Sequence, residues 1–516
     1  MQKIRDAVNK RFPGFFAAEG STQALADIRF ALHKMIYGDL LPVYNQYRTG
    51  VWINRLFDFY PEKIMENQKT KVPKRIASAL INSLKGGVVP RIGLPYITVG
   101  RKNEIEALLR DTDIVEEGGA SFRFIVGRYG SGKSFLLQTI RNHVMDRGFV
   151  VVDADLSPER RLQGTHGQGL ATYRELLRNM STKTRPEGGA LMLILDRWIS
   201  SVQAQTLQDT GLPPDDPAFL QQVESRIMDV ARRVNVLVHG FDFARLLCLY
   251  YQAYVSQNEE LKAKVLKWFR GEYTTKKEAK DELGVSIIIT DDDWYEYLKV
   301  FAWFLKEAGY KGLVIMLDEL VNLYKIPNSI SRQYNYEKIL TMYNDCLQGK
   351  AQYIGILMSG TPQCLEDRRR GIYSYEALRS RLAEGHFTGD GAQDLYAPVI
   401  RLSPLTPEEM LVLAGRLSDI HSQLYGYESR MRDEDLADFI RIEYERVGAD
   451  SHITPREIIR DFIGILDILY QRPDLSLQAL LKSDDFHFAG SDGNGTESGS
   501  GENPENGGRD FAEFTL

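Results

Sequence analysis

Short apolar runs, separated by longer stretches with helical periodicity, form the main pattern along this chain. Runs of this length are typical of buried strands, and the stretches between them place apolar residues three and four positions apart. Strands that alternate with helices predict an α/β fold with a parallel sheet and flanking helices. The predicted strands are Phe122–Val126, Phe149–Asp155, Leu313–Asp318, Tyr353–Met358 and Ala397–Leu402.

Helical periodicity is concentrated in three regions. Residues 1–95 contain the predicted helices Ala24–Tyr37 and Lys74–Leu84 and are interpreted as an N-terminal accessory region. Residues about 190–300 are helical in pattern and are interpreted as an insertion within a core of residues 96–403. A third region, 404–485, starts with Thr406-Pro407-Glu408-Glu409, which is a helix start with a capping threonine and a proline at the first position. The helices predicted in the insertion are Leu191–Val202, Pro217–Val234, Asp242–Val255, Glu260–Phe269 and Trp294–Ala308.

Residues 486–516 differ from the rest of the chain in composition. About 489–509 are rich in Ser, Gly, Asn and Glu, which predicts a disordered acidic tail. The last residues, Arg509–Leu516, carry two phenylalanines, which suggests a terminal docking peptide for a partner.

Overall composition is that of a soluble globular protein, with 43% hydrophobic and 26% charged residues. The net charge of −6 argues against non-specific nucleic-acid binding by the whole chain, although a local basic groove remains compatible with it. The first residues lack the apolar core of a secretion signal, and no uncharged stretch is long enough to span a bilayer. We therefore expect a cytoplasmic protein without a membrane partner.

The strongest chemical motif is Gly127-Arg128-Tyr129-Gly130-Ser131-Gly132-Lys133-Ser134, which matches the phosphate-binding loop of nucleoside triphosphatases. A predicted strand precedes it and a helical pattern follows it, as the motif requires. Glycines let backbone N–H groups form a concave anion cradle at the positive end of a helix. In this interpretation Lys133 contacts the β- and γ-phosphates and Ser134 binds Mg²⁺.

A second motif is the apolar strand that ends in Asp318-Glu319, which has the Walker B form. Asp318 is predicted to hold the Mg²⁺ ion through water. Glu319 is predicted to polarise the attacking water, either as its base or as the group that orients it. Together the two motifs predict an ATP- and Mg²⁺-dependent ATPase.

In their order, these features resemble an AAA+ ATPase near the Orc/Cdc6 initiator clade, with Val99-Gly100-Arg101 as a further shared element. A closer resemblance is to the BrxD-like ATP-binding proteins of bacteriophage-exclusion (BREX) defence systems. It rests on Ala79–Arg91, Val99–Arg101, Phe124–Leu136 and Leu317–Leu320, together with Met358–Pro362. It spans roughly residues 75–470. The resemblance implies a P-loop AAA+ core and a C-terminal helical lid.

The AAA+ resemblance also implies roles for particular side chains. Ser359 or Thr361, at the end of the strand beside Walker B, would sense the γ-phosphate, and the sequence does not choose between them. Arg381, with Arg379 as the alternative, occupies the place of an arginine finger that completes a neighbouring subunit's site. Arg456 occupies the place of the lid arginine that reaches the nucleotide of its own chain.

The functional prediction is an ATP-hydrolysing protein that forms a homo-oligomeric ring or filament and controls a DNA-processing partner, a helicase or nuclease, in anti-phage defence. Two alternatives remain open from the sequence. One is a nucleotide-dependent scaffold with little hydrolysis. The other is a DNA-binding ATPase of the initiator or transposition-regulator type, for which no DNA-binding module is evident.

Overall fold

The computed structural model of this protein describes residues 71–234, 240–383, 394–446 and 454–481. The predicted helix Ala24–Tyr37, most of the N-terminal accessory region and the tail 486–516 lie outside these residues.

The described residues form a five-stranded parallel sheet with the strand order β2-β3-β4-β1-β5. Each strand coincides with one of the predicted apolar runs, within a few residues at either end. The strands are β1 (Ala120–Val126), β2 (Val150–Asp155), β3 (Leu313–Asp318), β4 (Ile354–Gly360) and β5 (Val399–Arg401). Because all strands are parallel, their carboxyl ends meet at one edge, where β1 leads into the phosphate-binding loop and β3 ends in Asp318.

Helices cover both faces of the sheet. Because successive strand residues point to opposite faces, Val150 and Val152 pack in one hydrophobic core, while Val151 packs in another. The helices in the first part of the chain are α1 (Lys74–Lys85), α2 (Leu94–Ile97), α3 (Lys102–Glu116), α4 (Lys133–Asp146) and α5 (Gln168–Arg178). Helices α3 and α4 supply the core that contains Val151.

A long helical segment separates β2 from β3. Aromatic side chains pack its helices together, among them Phe243, whose ring centroid lies 4.9 Å from that of Phe301. Both rings belong to a core that also contains residues of the sheet. Edge-to-face pairs of this kind add to the burial of large apolar side chains. The helices of this segment are α6 (Leu191–Thr210), α7 (Pro217–Val234), α8 (Gly240–Val255), α9 (Glu259–Phe269), α10 (Lys276–Leu283) and α11 (Trp294–Glu307).

The next helices in the described residues follow β3 and β4 in the sequence. The longest of them has 19 residues and lies between these two strands in the chain. The helices are α12 (Val321–Tyr324), α13 (Ser329–Leu347), α14 (Pro362–Glu366), a 3-10 turn (Ile372–Ser374) and α15 (Glu376–Leu382).

The C-terminal helices form a separate hydrophobic core, which includes Leu413 and Phe462. Helix α1 contributes Leu80 and Ile81 to the same core, although it lies more than 300 residues earlier in the sequence. We call these C-terminal helices the lid: α16 (Pro407–Tyr425), α17 (Asp433–Arg446), α18 (Pro455–Gln471) and α19 (Leu477–Leu481).

The start of α16 and the start of α18 carry the same cap. Thr406 and Thr454 each accept a hydrogen bond from the backbone three residues on, and the glutamate at that position bonds back to the threonine N–H. The α/β fold with a parallel sheet, flanking helices and long helical parts is confirmed. The domain boundaries inferred from the sequence stay predictions.

Candidate functional site

The phosphate-binding loop, residues 127–132, connects β1 to α4. Gly130 and Gly132 have φ angles of 77° and 92°, in the left-handed region where other residues are strained. A Cβ atom on Gly130 would also lie 2.4 Å from Cβ of Thr454 in the lid. These glycines therefore permit both the curvature of the loop and its close approach to the lid.

Two side chains of the loop are arranged for an anionic ligand. The Ser131 hydroxyl is buried, and none of the described residues forms a hydrogen bond with its Oγ atom. Lys133 donates from Nζ to the carbonyl oxygen of Arg128 at 3.0 Å. Burial lowers the pKa of Lys133, while the carboxylates of Asp318 and Glu319 act in the opposite direction. A glycine cradle, an unsatisfied hydroxyl and a partly desolvated lysine fit the phosphates of a nucleotide.

Asp318 lies at the end of β3 and is 9% exposed. Ser134 donates from Oγ to its Oδ2 at 2.6 Å, and the backbone N–H of Glu319 donates to its Oδ1 at 2.7 Å. Ser359 donates from Oγ to the same Oδ1. Hydroxyl and carboxylate oxygens are the ligand types that Mg²⁺ prefers, so Ser134 and Asp318 fit the metal role predicted for them.

Glu319 has a φ angle of 61°, which is unusual for a residue with a side chain. Its carboxylate follows Asp318 directly and borders the same cavity as Lys133. A strained backbone at a cavity is a common sign of a functional residue, because the surrounding structure must hold it there.

Ser359 and Thr361 occupy different places at the end of β4. Ser359 is fully buried and contacts Asp318; the two residues directly follow Met358 and Leu317, which are paired in the sheet register. Thr361 borders the cavity and caps α14, accepting a hydrogen bond from the backbone N–H of Cys364 at 3.4 Å. The two residues, which the sequence leaves as alternatives, therefore have separate surroundings.

Arg456 lies in the first turn of α18 and borders the cavity, as its predicted role in contacting the nucleotide requires. Its guanidinium carbon lies 5.2 Å from the ring centroid of Tyr129. Within the phosphate-binding loop, Tyr129 to Ser134 border the cavity, whereas Gly127 and Arg128 lie behind it.

Arg381 and Arg379, the candidates for the arginine finger, lie on α15 and are not among the residues that border this cavity. Arg381 is exposed and donates from Nη1 to the Ala377 carbonyl oxygen at 2.6 Å. Arg379 forms an ion pair with Glu376 at 2.9 Å. The structure thus does not bring either arginine to the phosphate-binding loop of its own chain.

The cavity itself has a volume of about 420 Å³ and lies between the sheet edge, α1 and the lid. Its polar end contains the phosphate-binding loop, Asp318, Glu319 and Thr361. Its other end is apolar, which suits a flat nucleobase. The apolar end is lined by Leu84, Val89, Ile97, Val99, Leu413 and Ile459.

Arg101 connects three parts of the site in a way that the sequence did not show. Its Nη2 atom donates to the carbonyl oxygen of Ser131 at 3.2 Å and to that of Ser403 at 2.6 Å, and Nη1 pairs with Glu104 at 3.2 Å. From the sequence, Val99-Gly100-Arg101 was identified only as an element shared with the AAA+ initiator clade. The structure adds that Arg101 ties the phosphate-binding loop to the residues after β5.

Two more charged residues were missed by sequence reasoning. Lys325 follows α12 and borders the cavity. Asp155 ends β2 and lies opposite Asp318 in the sheet register. Burial, and then the neighbouring carboxylate of Asp318, raise the pKa of Asp155. The only signal for them in the sequence was position, since Lys325 directly follows a helix and Asp155 is the last residue of a strand.

None of the helices in the described ranges is both long and apolar enough to cross a bilayer.

Comparison with known proteins supports this nucleotide site. A search of curated proteins finds no match. The sequence model of a family described as "BREX system ATP-binding protein BrxC/D" matches residues 72–485, which is most of the chain, and this confirms the resemblance inferred from the motifs. The chain therefore belongs to the family of BREX system ATP-binding proteins BrxC/D.

Proposed function

We propose that this protein binds ATP with Mg²⁺ in the cavity between the sheet and the lid, and that it hydrolyses the ATP. Membership of a family of ATP-binding proteins supports the choice of nucleotide. In this proposal the backbone of residues 129–132 and the Lys133 side chain bind the β- and γ-phosphates, and the apolar residues of the cavity lining hold the base.

Ser134 and Asp318 would hold the metal ion. When bound, Mg²⁺ neutralises charge on the phosphates during phosphoryl transfer. Asp318 is suited to this role because Ser134, Ser359 and the Glu319 backbone together fix the orientation of its carboxylate.

The observation that carries hydrolysis, rather than binding alone, is the position of Glu319. A left-handed backbone holds its carboxylate beside the cavity, one residue after the proposed metal ligand. From this place Glu319 would orient a water molecule towards the γ-phosphate and accept its proton. Thr361, which borders the same cavity, would contact the γ-phosphate, while Ser359 keeps Asp318 in place.

Positive charge at the γ-phosphate would come from two chains. Arg456 lies in the cavity of its own chain. Arg381 is exposed and is not among the residues that border that cavity, as expected of an arginine that acts on a neighbouring subunit. We therefore propose a homo-oligomeric ring or filament in which Arg381 of one subunit completes the site of the next, with Arg379 as the alternative.

Family membership places the protein in a multi-component defence system, and this supports a protein partner. We propose that the nucleotide state of the oligomer controls a DNA-processing partner such as a helicase or nuclease. The terminal docking peptide and direct contact with DNA stay predictions from the sequence.

Three proteins test the enzymatic part of the proposal: wild type, Lys133→Ala and Glu319→Gln. Nucleotide binding is measured with a fluorescent ATP analogue, and phosphate release is measured separately. We expect Lys133→Ala to lose most binding and Glu319→Gln to keep binding but lose turnover. Equal turnover in wild type and Glu319→Gln would refute the catalytic assignment. Binding without turnover in the wild type would favour the scaffold alternative.

A further inference from the structure

Tyr129 is unusual among the residues of the phosphate-binding loop because its large side chain is 67% exposed. In such loops the backbone N–H groups bind the phosphates, and a side chain at this position is not required for that contact. An exposed aromatic ring at the mouth of the proposed site therefore calls for another explanation.

The ring of Tyr129 contacts the lid. The guanidinium carbon of Arg456 lies 5.2 Å from the ring centroid, within the range of a cation–π interaction. Nη1 of Arg456 also donates to the Tyr129 hydroxyl at 3.4 Å. Thus both the ring and the hydroxyl of Tyr129 contact the arginine that borders the cavity.

Beside this pair, the backbone of the phosphate-binding loop approaches the lid closely. Gly130, the next residue of the loop, lies so near to Thr454 that an added Cβ atom would be 2.4 Å from the Thr454 Cβ. The side chain of Thr454 caps α18 through Glu457, which fixes the first turn of the helix, where Arg456 lies. Loop and lid therefore meet at two points, Tyr129 with Arg456 and Gly130 with Thr454.

From these contacts we propose that Tyr129 is a positioning residue: its ring holds the Arg456 guanidinium at the mouth of the cavity, ready to contact the γ-phosphate. This inference rests on the proposed function. A guanidinium has five N–H donors, so Arg456 can donate from Nη1 to the Tyr129 hydroxyl and still offer other N–H groups to phosphate oxygens. ATP carries the γ-phosphate and ADP does not, so the pair favours ATP over ADP.

The test compares the affinities for ATP and ADP in the Glu319→Gln background, where hydrolysis does not interfere. Tyr129→Ala should weaken ATP binding about two- to fivefold, the size of an exposed cation–π contact, and leave ADP binding nearly unchanged. Tyr129→Phe keeps the ring and should retain most of the preference for ATP. Tyr334→Ala, which removes another exposed tyrosine on α13, serves as the matched control.

A second comparison shows whether Tyr129 acts through Arg456. In an Arg456→Ala background the effect of Tyr129→Ala should disappear, because the group that it positions is absent. The inference is overturned if the loss persists in that background, if ATP and ADP affinities fall equally, or if Tyr129→Ala changes neither. If one of these results is found while the Glu319→Gln protein still binds ATP, only the role of Tyr129 is refuted and the proposed nucleotide site stands. Failure of that protein to bind ATP would refute both proposals.

Discussion

The contact between Ser359 and Asp318 gives the sharpest prediction about the proposed metal site. Three donors hold the Asp318 carboxylate, and Ser359, which is completely buried, is one of two that bind Oδ1. Replacement of Ser359 by alanine leaves Oδ1 with the Glu319 backbone N–H alone. A hydrogen bond to a charged group is worth about 1.5–3 kcal/mol, so ATP turnover at a fixed, low Mg²⁺ concentration should fall about 10- to 150-fold.

The assay is phosphate release as a function of Mg²⁺ concentration, for wild type, Ser359→Ala and Thr361→Val. Ser359→Ala should require more Mg²⁺ for half-maximal activity, because Asp318 is less well oriented as a ligand. Thr361→Val should lower turnover without a change in the Mg²⁺ requirement, since Thr361 borders the cavity but is not among the donors to Asp318.

An unchanged Mg²⁺ requirement in Ser359→Ala would refute this reasoning, provided that circular dichroism shows the variant to be folded. The same conclusion would follow if Thr361→Val shifted the Mg²⁺ requirement as strongly as Ser359→Ala did.

Three further predictions concern residues that the sequence did not single out or did not explain. Arg101→Lys should weaken ATP binding about fivefold, because a lysine cannot make the separate contacts to Ser131 and Ser403 that each contribute about 1 kcal/mol. The pKa of Asp155 is raised in the folded protein, so its protonated carboxyl contributes to the stability of the folded state at low pH. This contribution is lost as the pH rises through the pKa of Asp155 in the folded state. Asp155→Asn should therefore raise the melting temperature of the nucleotide-free protein at neutral pH, and the gain should vanish below about pH 4. Lys325→Ala should raise the KM for ATP several-fold, more at low salt than at high salt, because it removes a positive charge that borders the cavity.

Each of these predictions would be contradicted by a different result. Arg101→Lys would contradict its prediction if it bound the fluorescent ATP analogue with the same affinity as the wild type. For Asp155→Asn the contradicting result is an equal change in melting temperature at neutral and acidic pH. For Lys325→Ala it is the same KM as for Lys350→Ala, a control that removes an exposed lysine next to the end of α13.

Much of the fold could be predicted from the hydrophobic pattern of the sequence. The run Leu313–Asp318 is apolar up to its last residue because β3 is buried on both faces, and such a run is easily recognised. The prediction for Pro217–Val234 matches α7, whose apolar residues have a clear helical period. Helix α13 was not predicted because polar side chains such as Arg332 and Asn335 are buried in it. Asn335 bonds to the backbone of the segment after β2, which no local pattern reveals.

The site was predictable where one motif contains it and not where distant segments meet. Lys133 and Ser134 lie in a single contiguous motif, whereas Asp155 comes to lie opposite Asp318 only through the register of β2 and β3. Likewise, the separate surroundings of Ser359 and Thr361 arise because Ser359 lies within β4, whereas Thr361 follows the strand and caps α14. The sequence alone does not show where the strand ends.

The central claim is a hydrolytic site divided between two subunits, and mixing two variants tests it most directly. Glu319→Gln lacks the proposed base, and Arg381→Ala lacks the proposed finger, so each alone should be inactive. In a mixed oligomer, Arg381 of the first variant can complete the site of the second, and about a quarter of the interfaces in an equal mixture should be active. Activity that appears only after mixing is the predicted result. A mixture that stays inactive, or an Arg381→Ala protein that hydrolyses ATP at the wild-type rate, would contradict the claim.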